Sequence, residues 1–214
     1  MVRSLFILFL SLFCLLFASS AFAEEGFPNR LYVGAGRGVS DVSSAEILDK
    51  ESDGRTRAEF RRDLYAGGVF GLDVGRGRYE MELAYRQSDL DKLGALDGEF
   101  TGDITATALL FNAIGDFENE SRFTPYLGFG LGAAKISINK WRSADTALIN
   151  DSAYLLAFQV MGGVHYAINA RWGIDLGYKY FNTSFPDFKD AAGRSIESDY
   201  RSNTLALGAR YHFR

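Results

Sequence analysis

Oily and polar residues alternate one by one along much of the chain. From Tyr79 the order is Tyr79-Glu80-Met81-Glu82-Leu83-Ala84-Tyr85-Arg86, with Tyr, Met, Leu and Tyr at odd positions and Glu, Glu, Ala and Arg at even ones. Successive side chains on a β-strand point to opposite faces, so this segment predicts a strand with one oily and one charged face. On a helix the same order would scatter both classes around the surface. Trp172, Ile174, Leu176, Tyr178 and Tyr180 likewise oppose Gly173, Asp175, Gly177, Lys179 and Phe181. Leu205, Leu207, Ala209, Tyr211 and Phe213 oppose Thr204, Ala206, Gly208, Arg210 and His212. Leu31 to Val39, Leu64 to Leu72, Leu127 to Lys135 and Phe158 to Ile168 repeat the pattern. Ile104 to Ile114 is strand-like, but Leu109, Leu110 and Phe111 are consecutive and blur its phase; Asn112 is placed inward there.

These segments make eight strands of roughly 9–12 residues, the length a tilted strand needs to cross a bilayer. Short connections (Asp73 to Arg76, Asp116 to Arg122, Asn169 to Ala170) alternate with long polar ones (Ser40 to Asp63, Ser88 to Gly102, Asn139 to Ser152, Ser184 to Asp199). Short turns at one end and long loops at the other are the mark of outer-membrane barrels. The reading is all-β: an eight-stranded antiparallel up-and-down transmembrane β-barrel over residues 24–214.

A soluble barrel with its oily side inward has the same periodicity. Three features favour the membrane. Glycine crowds the polar face at Gly34, Gly36, Gly38, Gly128, Gly130, Gly132, Gly173, Gly177 and Gly208. A narrow lumen needs such small residues to accommodate longer charged ones, and a solvated surface does not. Tyr79, Tyr85, Phe123, Tyr166, Trp172, Tyr178, Tyr180, Tyr211 and Phe213 gather near strand ends on the oily face, as interfacial girdles do. The third feature is export. Arg3, the apolar run Leu5 to Phe17 and Ala21-Phe22-Ala23 follow the order of a secretory signal peptide, residues 1–23, cleaved after Ala23. That run of about 13 residues is too short for a spanning helix, which needs roughly 20.

Cys14, the single cysteine, lies in this run, so the mature chain has no disulfide or thiol chemistry. Its charge is 22 − 27 = −5, because only Arg3 of the 23 Lys and Arg is lost and all 27 Asp and Glu are kept. No nucleic-acid partner is expected. Mean hydropathy near zero fits a barrel whose apolar and polar residues cancel along each strand.

Thr124-Pro125-Tyr126-Leu127-Gly128-Phe129-Gly130-Leu131-Gly132-Ala133-Ala134 resembles the central strand of the OmpX/OmpA-like small outer-membrane β-barrel proteins. Gln159 through Tyr180 and the last strand, Asn203 to Phe213, are similar to them too. The resemblance implies fold and location and says little about activity. It also implies insertion by an assembly machinery that reads a terminal aromatic residue; here Arg214 follows Phe213, but Tyr211 and Phe213 keep the alternating aromatic pattern, so insertion is expected to work still, at lower efficiency.

The chemistry on offer is a set of inward charges: Glu80, Glu82, Arg86, Asp175, Lys179 and Arg210. Three acids and three bases are expected to neutralise one another in a lumen wide enough only for its own side chains. His165 and His212 have no serine beside them for nucleophilic catalysis, so no catalytic, cofactor or metal site is expected. The first long loop is charge-dense, and Arg61 and Arg62 are candidates to meet lipopolysaccharide phosphates or an external partner. The expected role is a surface-exposed structural or interaction barrel of the surface-antigen or adhesion type. Its expected partners are outer-membrane lipid, lipopolysaccharide and an extracellular or host ligand. The alternatives are a narrow porin-like channel and, behind it, an outer-membrane lipid-modifying enzyme.

Overall fold

The computed structural model describes residues 29–43, 45–49, 54–60, 63–93, 100–143, 146–183, 187–189, 195–198 and 200–213. The signal-peptide reading, Arg61, Arg62 and Arg214 lie outside these residues. Eight long strands form the wall: β1 (Arg30–Ser43), β4 (Asp63–Asp73), β5 (Gly77–Leu93), β6 (Phe100–Asp116), β7 (Phe123–Ser143), β8 (Thr146–Ala167), β9 (Trp172–Thr183) and β12 (Arg201–His212). Each pairs antiparallel with its chain neighbour, β12 returns to β1, and the β5–β6 pairing closes the ring. The result is the up-and-down barrel that the alternation predicts.

Exposure settles which way the oily face looks. Leu83 is 59% exposed, Phe129 58% and Leu207 57%, whereas Glu82 and Arg86 are 0% exposed. A soluble protein does not turn its aliphatic residues out and its carboxylates in; a bilayer requires it. The doubtful phase of β6 resolves the same way: Ala108, Leu110, Asn112 and Ile114 are buried, and Leu109 faces out. Aromatic pairs stand at the short-turn rim, with Phe123 against Tyr166 (4.8 Å) and Trp172 against Tyr211 (4.9 Å). Phe158 and Tyr180, 6.5 Å apart, belong to the opposite belt.

Inside, the large side chains lie over glycines. A Cβ at Gly71 would stand 2.2 Å from the Tyr32 ring, one at Gly67 2.3 Å from the Tyr65 hydroxyl, and one at Gly177 2.4 Å from the Tyr126 hydroxyl. The glycine-rich inner face therefore seats inward tyrosines as well as making room for charges. At the β4–β5 turn, Gly75 takes φ 89° and its N–H donates to Asp73 Oδ1 at 2.9 Å.

The long connections are not simply loops. β7 runs 21 residues and β8 22, taking in most of the segment from Asn139 to Ser152. Four short strands occupy other segments expected to be irregular: β2 (Ala45–Asp49), β3 (Gly54–Phe60), β10 (Asp187–Lys189) and β11 (Ser195–Ser198). Above the bilayer both faces of a strand meet water, so the period-two signal vanishes while the backbone ladder continues.

Replacing Leu83 by Arg puts a charge on the lipid face well inside the apolar band. It is expected to cost about 2–4 kcal/mol, read by urea unfolding of the barrel in phospholipid vesicles. A value near zero would mean that this face meets water.

Candidate functional site

The even residues of β5 carry charge up the lumen from the short-turn end: Arg78, Glu80, Glu82 and Arg86. Around them two polar layers form.

The upper layer centres on Glu82. Its Oε1 accepts from Lys179 Nζ at 2.6 Å and Tyr65 OH at 2.7 Å. Its Oε2 accepts from Asn112 Nδ2 at 2.8 Å and Gln159 Nε2 at 2.7 Å. Gln159 also donates to Asn112 Oδ1 at 2.9 Å, and Lys179 to the Tyr65 oxygen at 3.0 Å. One carboxylate thus ties together β4, β5, β6, β8 and β9. A buried charge is tolerable when paired and fully hydrogen-bonded, and Glu82 meets both conditions.

The lower layer is a chain of pairs. Tyr32 OH donates to Glu80 Oε1 at 2.6 Å, and Arg78 Nη1 approaches the same oxygen at 3.5 Å. Arg78 Nε donates to Asp116 Oδ2 at 2.7 Å, with its Cζ over the Tyr126 ring. Arg210 Nη2 donates to Asp175 Oδ1, which His165 Nδ1 also meets at 3.1 Å. At the rim Asp73 Oδ2 stands 3.3 Å from Arg30 Nη2 and 3.5 Å from His212 Nε2. Between the layers lies a cavity of about 80 Å³ walled by Gly34, Gly36, Gly177, Gly208, Tyr126 and Met161.

All six charges read from the sequence point into the lumen, but they do not neutralise one another as a closed set. Lys179 takes Glu82 and Arg210 takes Asp175. Glu80 meets Arg78, and Arg86 forms no ion pair among the described residues. Two members were missed. Arg78 shares the parity of Glu80 and Glu82, and Asp116 continues that of Asn112 and Ile114; both stood just beyond the strand ends read from the pattern. The tyrosines Tyr32 and Tyr65 were legible by parity too, as even and odd members of the inner faces of β1 and β4.

Neither histidine is hydrogen-bonded to a serine or threonine hydroxyl among the described residues. His165 is engaged by Asp175, and the nearest register partner bearing a hydroxyl is Thr124. Both imidazoles sit at the short-turn end.

A family model described as outer membrane protein beta-barrel domain matches residues 9–213. The chain belongs to that outer-membrane β-barrel family. It is located in the outer membrane. The outer membrane protein PagN of Salmonella typhimurium is 25% identical over 92% of this chain and 93% of its own. The chain spans about half the length of the Brucella relatives it matches, at 26% identity over 48% of this chain and 45% of theirs. Neisserial surface protein A is similar in fold, with TM-score 0.56 and 22% identity over 86% of this chain and 97% of that one. So is the outer membrane protease OmpT of Escherichia coli, with TM-score 0.54 and 9% identity over 88% of this chain and 99% of that one. At such identities the two structures establish the fold alone.

Replacing Lys179 by Met removes the one cation hydrogen-bonded to Glu82 and leaves the buried carboxylate three neutral donors and the more distant Arg86 charge. The expected loss is about 3–5 kcal/mol in chemical denaturation. The double variant Glu82→Leu, Lys179→Met is expected to lose less than the sum of the single losses, because the unpaired charge goes with it. Additive losses would mean that the two groups do not act on each other.

Proposed function

We propose that this barrel is a surface-exposed interaction protein, of the adhesion or surface-antigen type, whose lumen is closed to solutes. The observation that carries the reading lies at the long-hairpin end, which faces outside the cell in barrels of this kind. There β2 pairs with β3, β3 with the end of β5, and β11 from the last connection pairs with β2 from the first. β7 and β8 run to about twice the 9–11 residues that cross a bilayer. A barrel that serves only to span needs none of this ordered sheet. Sheets presented above a rigid scaffold are where binding surfaces are built.

Closure rests on the two layers. Each crosses the lumen with side chains hydrogen-bonded from wall to wall, and an eight-stranded ring has little width to spare. The catalytic alternative has weak support: an acyl-transfer site needs a nucleophile held by its base, and neither His165 nor His212 holds one among the described residues. Lipopolysaccharide contact at Arg61 and Arg62 belongs to the same surface reading, as part of the outer-leaflet interface.

Whole cells displaying the protein are the test. Residues 41–62 are replaced by an Asn-Gly turn, which joins the register partners Ser40 and Asp63 and keeps β1 and β4 as a hairpin. The variant is expected to remain heat-modifiable in outer-membrane fractions while adherence to cultured epithelial cells falls to background. Unchanged adherence, or none from the parent, rejects the interaction role. In planar bilayers the parent is expected to give no reproducible single-channel steps; steps of constant size would favour the porin-like reading instead.

A further inference from the structure

Arg86 is the anomaly of the lumen. Its side chain is fully buried, and none of Nε, Nη1 and Nη2 has a hydrogen-bond acceptor among the described residues. The adjacent acid cannot take it. Glu82 already accepts four hydrogen bonds, from Lys179, Tyr65, Asn112 and Gln159, which fills its acceptor sites. What Arg86 has instead is aromatic: Cζ lies 4.1 Å from the Phe181 ring centroid and 5.2 Å from that of Tyr65. Ring contacts engage the face of a guanidinium and leave its N–H edge for in-plane acceptors.

Two further donors stand one step toward the cell exterior. Ser88 follows Arg86 on the inner face of β5, and Thr183 follows Phe181 on the inner face of β9. Both are buried, and among the described residues Ser88 Oγ and Thr183 Oγ1 have no hydrogen-bond partner. A fork of N–H groups and two hydroxyls, which can donate as well as accept, holds a cation and no anionic acceptor. Burying it uncompensated costs several kcal/mol.

We infer that Arg86, with Ser88 and Thr183, forms a site for a small oxyanion, a carboxylate or a phosphate, in the extracellular half of the lumen. The site is distinct from the Glu82 layer and lies on its outer side, so an anion arriving from outside crosses neither polar layer. Guanidinium geometry selects a planar or tetrahedral oxyanion over chloride, because two parallel N–H bonds need two oxygens. Phe181 and Tyr65 hold the fork in place beforehand.

The full mature chain, refolded in zwitterionic micelles, is titrated with inorganic phosphate replacing chloride at constant ionic strength. The unfolding midpoint is followed by tryptophan fluorescence, with acetate as a parallel arm. The parent is expected to show a saturable rise, since a ligand bound only by the folded state stabilises it. Arg86→Lys keeps the charge without the fork and is expected to need roughly tenfold more of the anion. Arg86→Met is expected to show no saturable rise, and Arg171→Gln, on an exposed turn, to behave as the parent does. The arm that responds, acetate or phosphate, identifies the oxyanion. No saturable rise in the parent with either anion overturns the inference, and so does an Arg86→Lys curve that overlays the parent's. Should Arg86→Met fail to refold, the Arg86→Lys comparison decides alone.

Discussion

Hydrocarbon cannot hydrogen-bond a peptide group, and that constraint shapes everything else in this molecule. A sheet in a bilayer must have no edge, so the ladder that begins at β1 has to return to it. Here the β5–β6 and β1–β12 pairings leave every wall strand with two neighbours. Eight strands close into a ring barely wider than two facing side chains. Once the ring is that narrow, each inward residue must fit with the residue opposite. The pairing of glycine with tyrosine at Gly71 and Tyr32, and at Gly177 and Tyr126, follows from lack of space rather than from backbone flexibility.

Charge enters because lipid takes the oily residues. In a soluble domain the aliphatic side chains would fill the core; here most are on the outside, and the interior holds polar groups beside a few apolar ones such as Leu110, Ile114 and Ile136. Those groups are held by hydrogen bonds that cross from strand to strand. The Glu82 carboxylate reaches four other strands, and the pairs around Asp175 join β8, β9 and β12. Buried ion pairs contribute little net stability against an apolar filling of the same shape, yet removing one partner is costly. Their value here is register: a slip of one residue on any strand would turn its charge into the membrane and its leucines into the lumen.

The same wall serves two environments. Within the bilayer it is a strict two-faced sheet. Beyond the outer belt both faces are wetted, the ladder continues in β7 and β8, and short strands from separate connections pair across. The membrane-embedded half is constrained by lipid; the outer half is free to vary in sequence as long as its ladders hold. That division makes the outer half the place where a specific interaction can be built without disturbing insertion.

Period-two alternation determined the eight wall strands and the single face shared by Glu80, Glu82, Arg86, Asp175, Lys179 and Arg210, because a strand offers a side chain only two directions; the glycines on that face, the aromatic belts and the export signal, not the period, turned it toward the lumen. Length asymmetry of the connections determined which ends carry the turns. Pairing was beyond reach: Arg78 meeting Asp116, Lys179 meeting Glu82 rather than Glu80, and Arg86 meeting two aromatic rings and no acid depend on the stagger of strands around the ring, which no single strand encodes. The strands within the outer connections were hidden for a different reason, since water on both faces erases the alternation that reveals a strand. Parity says which residues share the lumen; only closure of the barrel decides which of them touch.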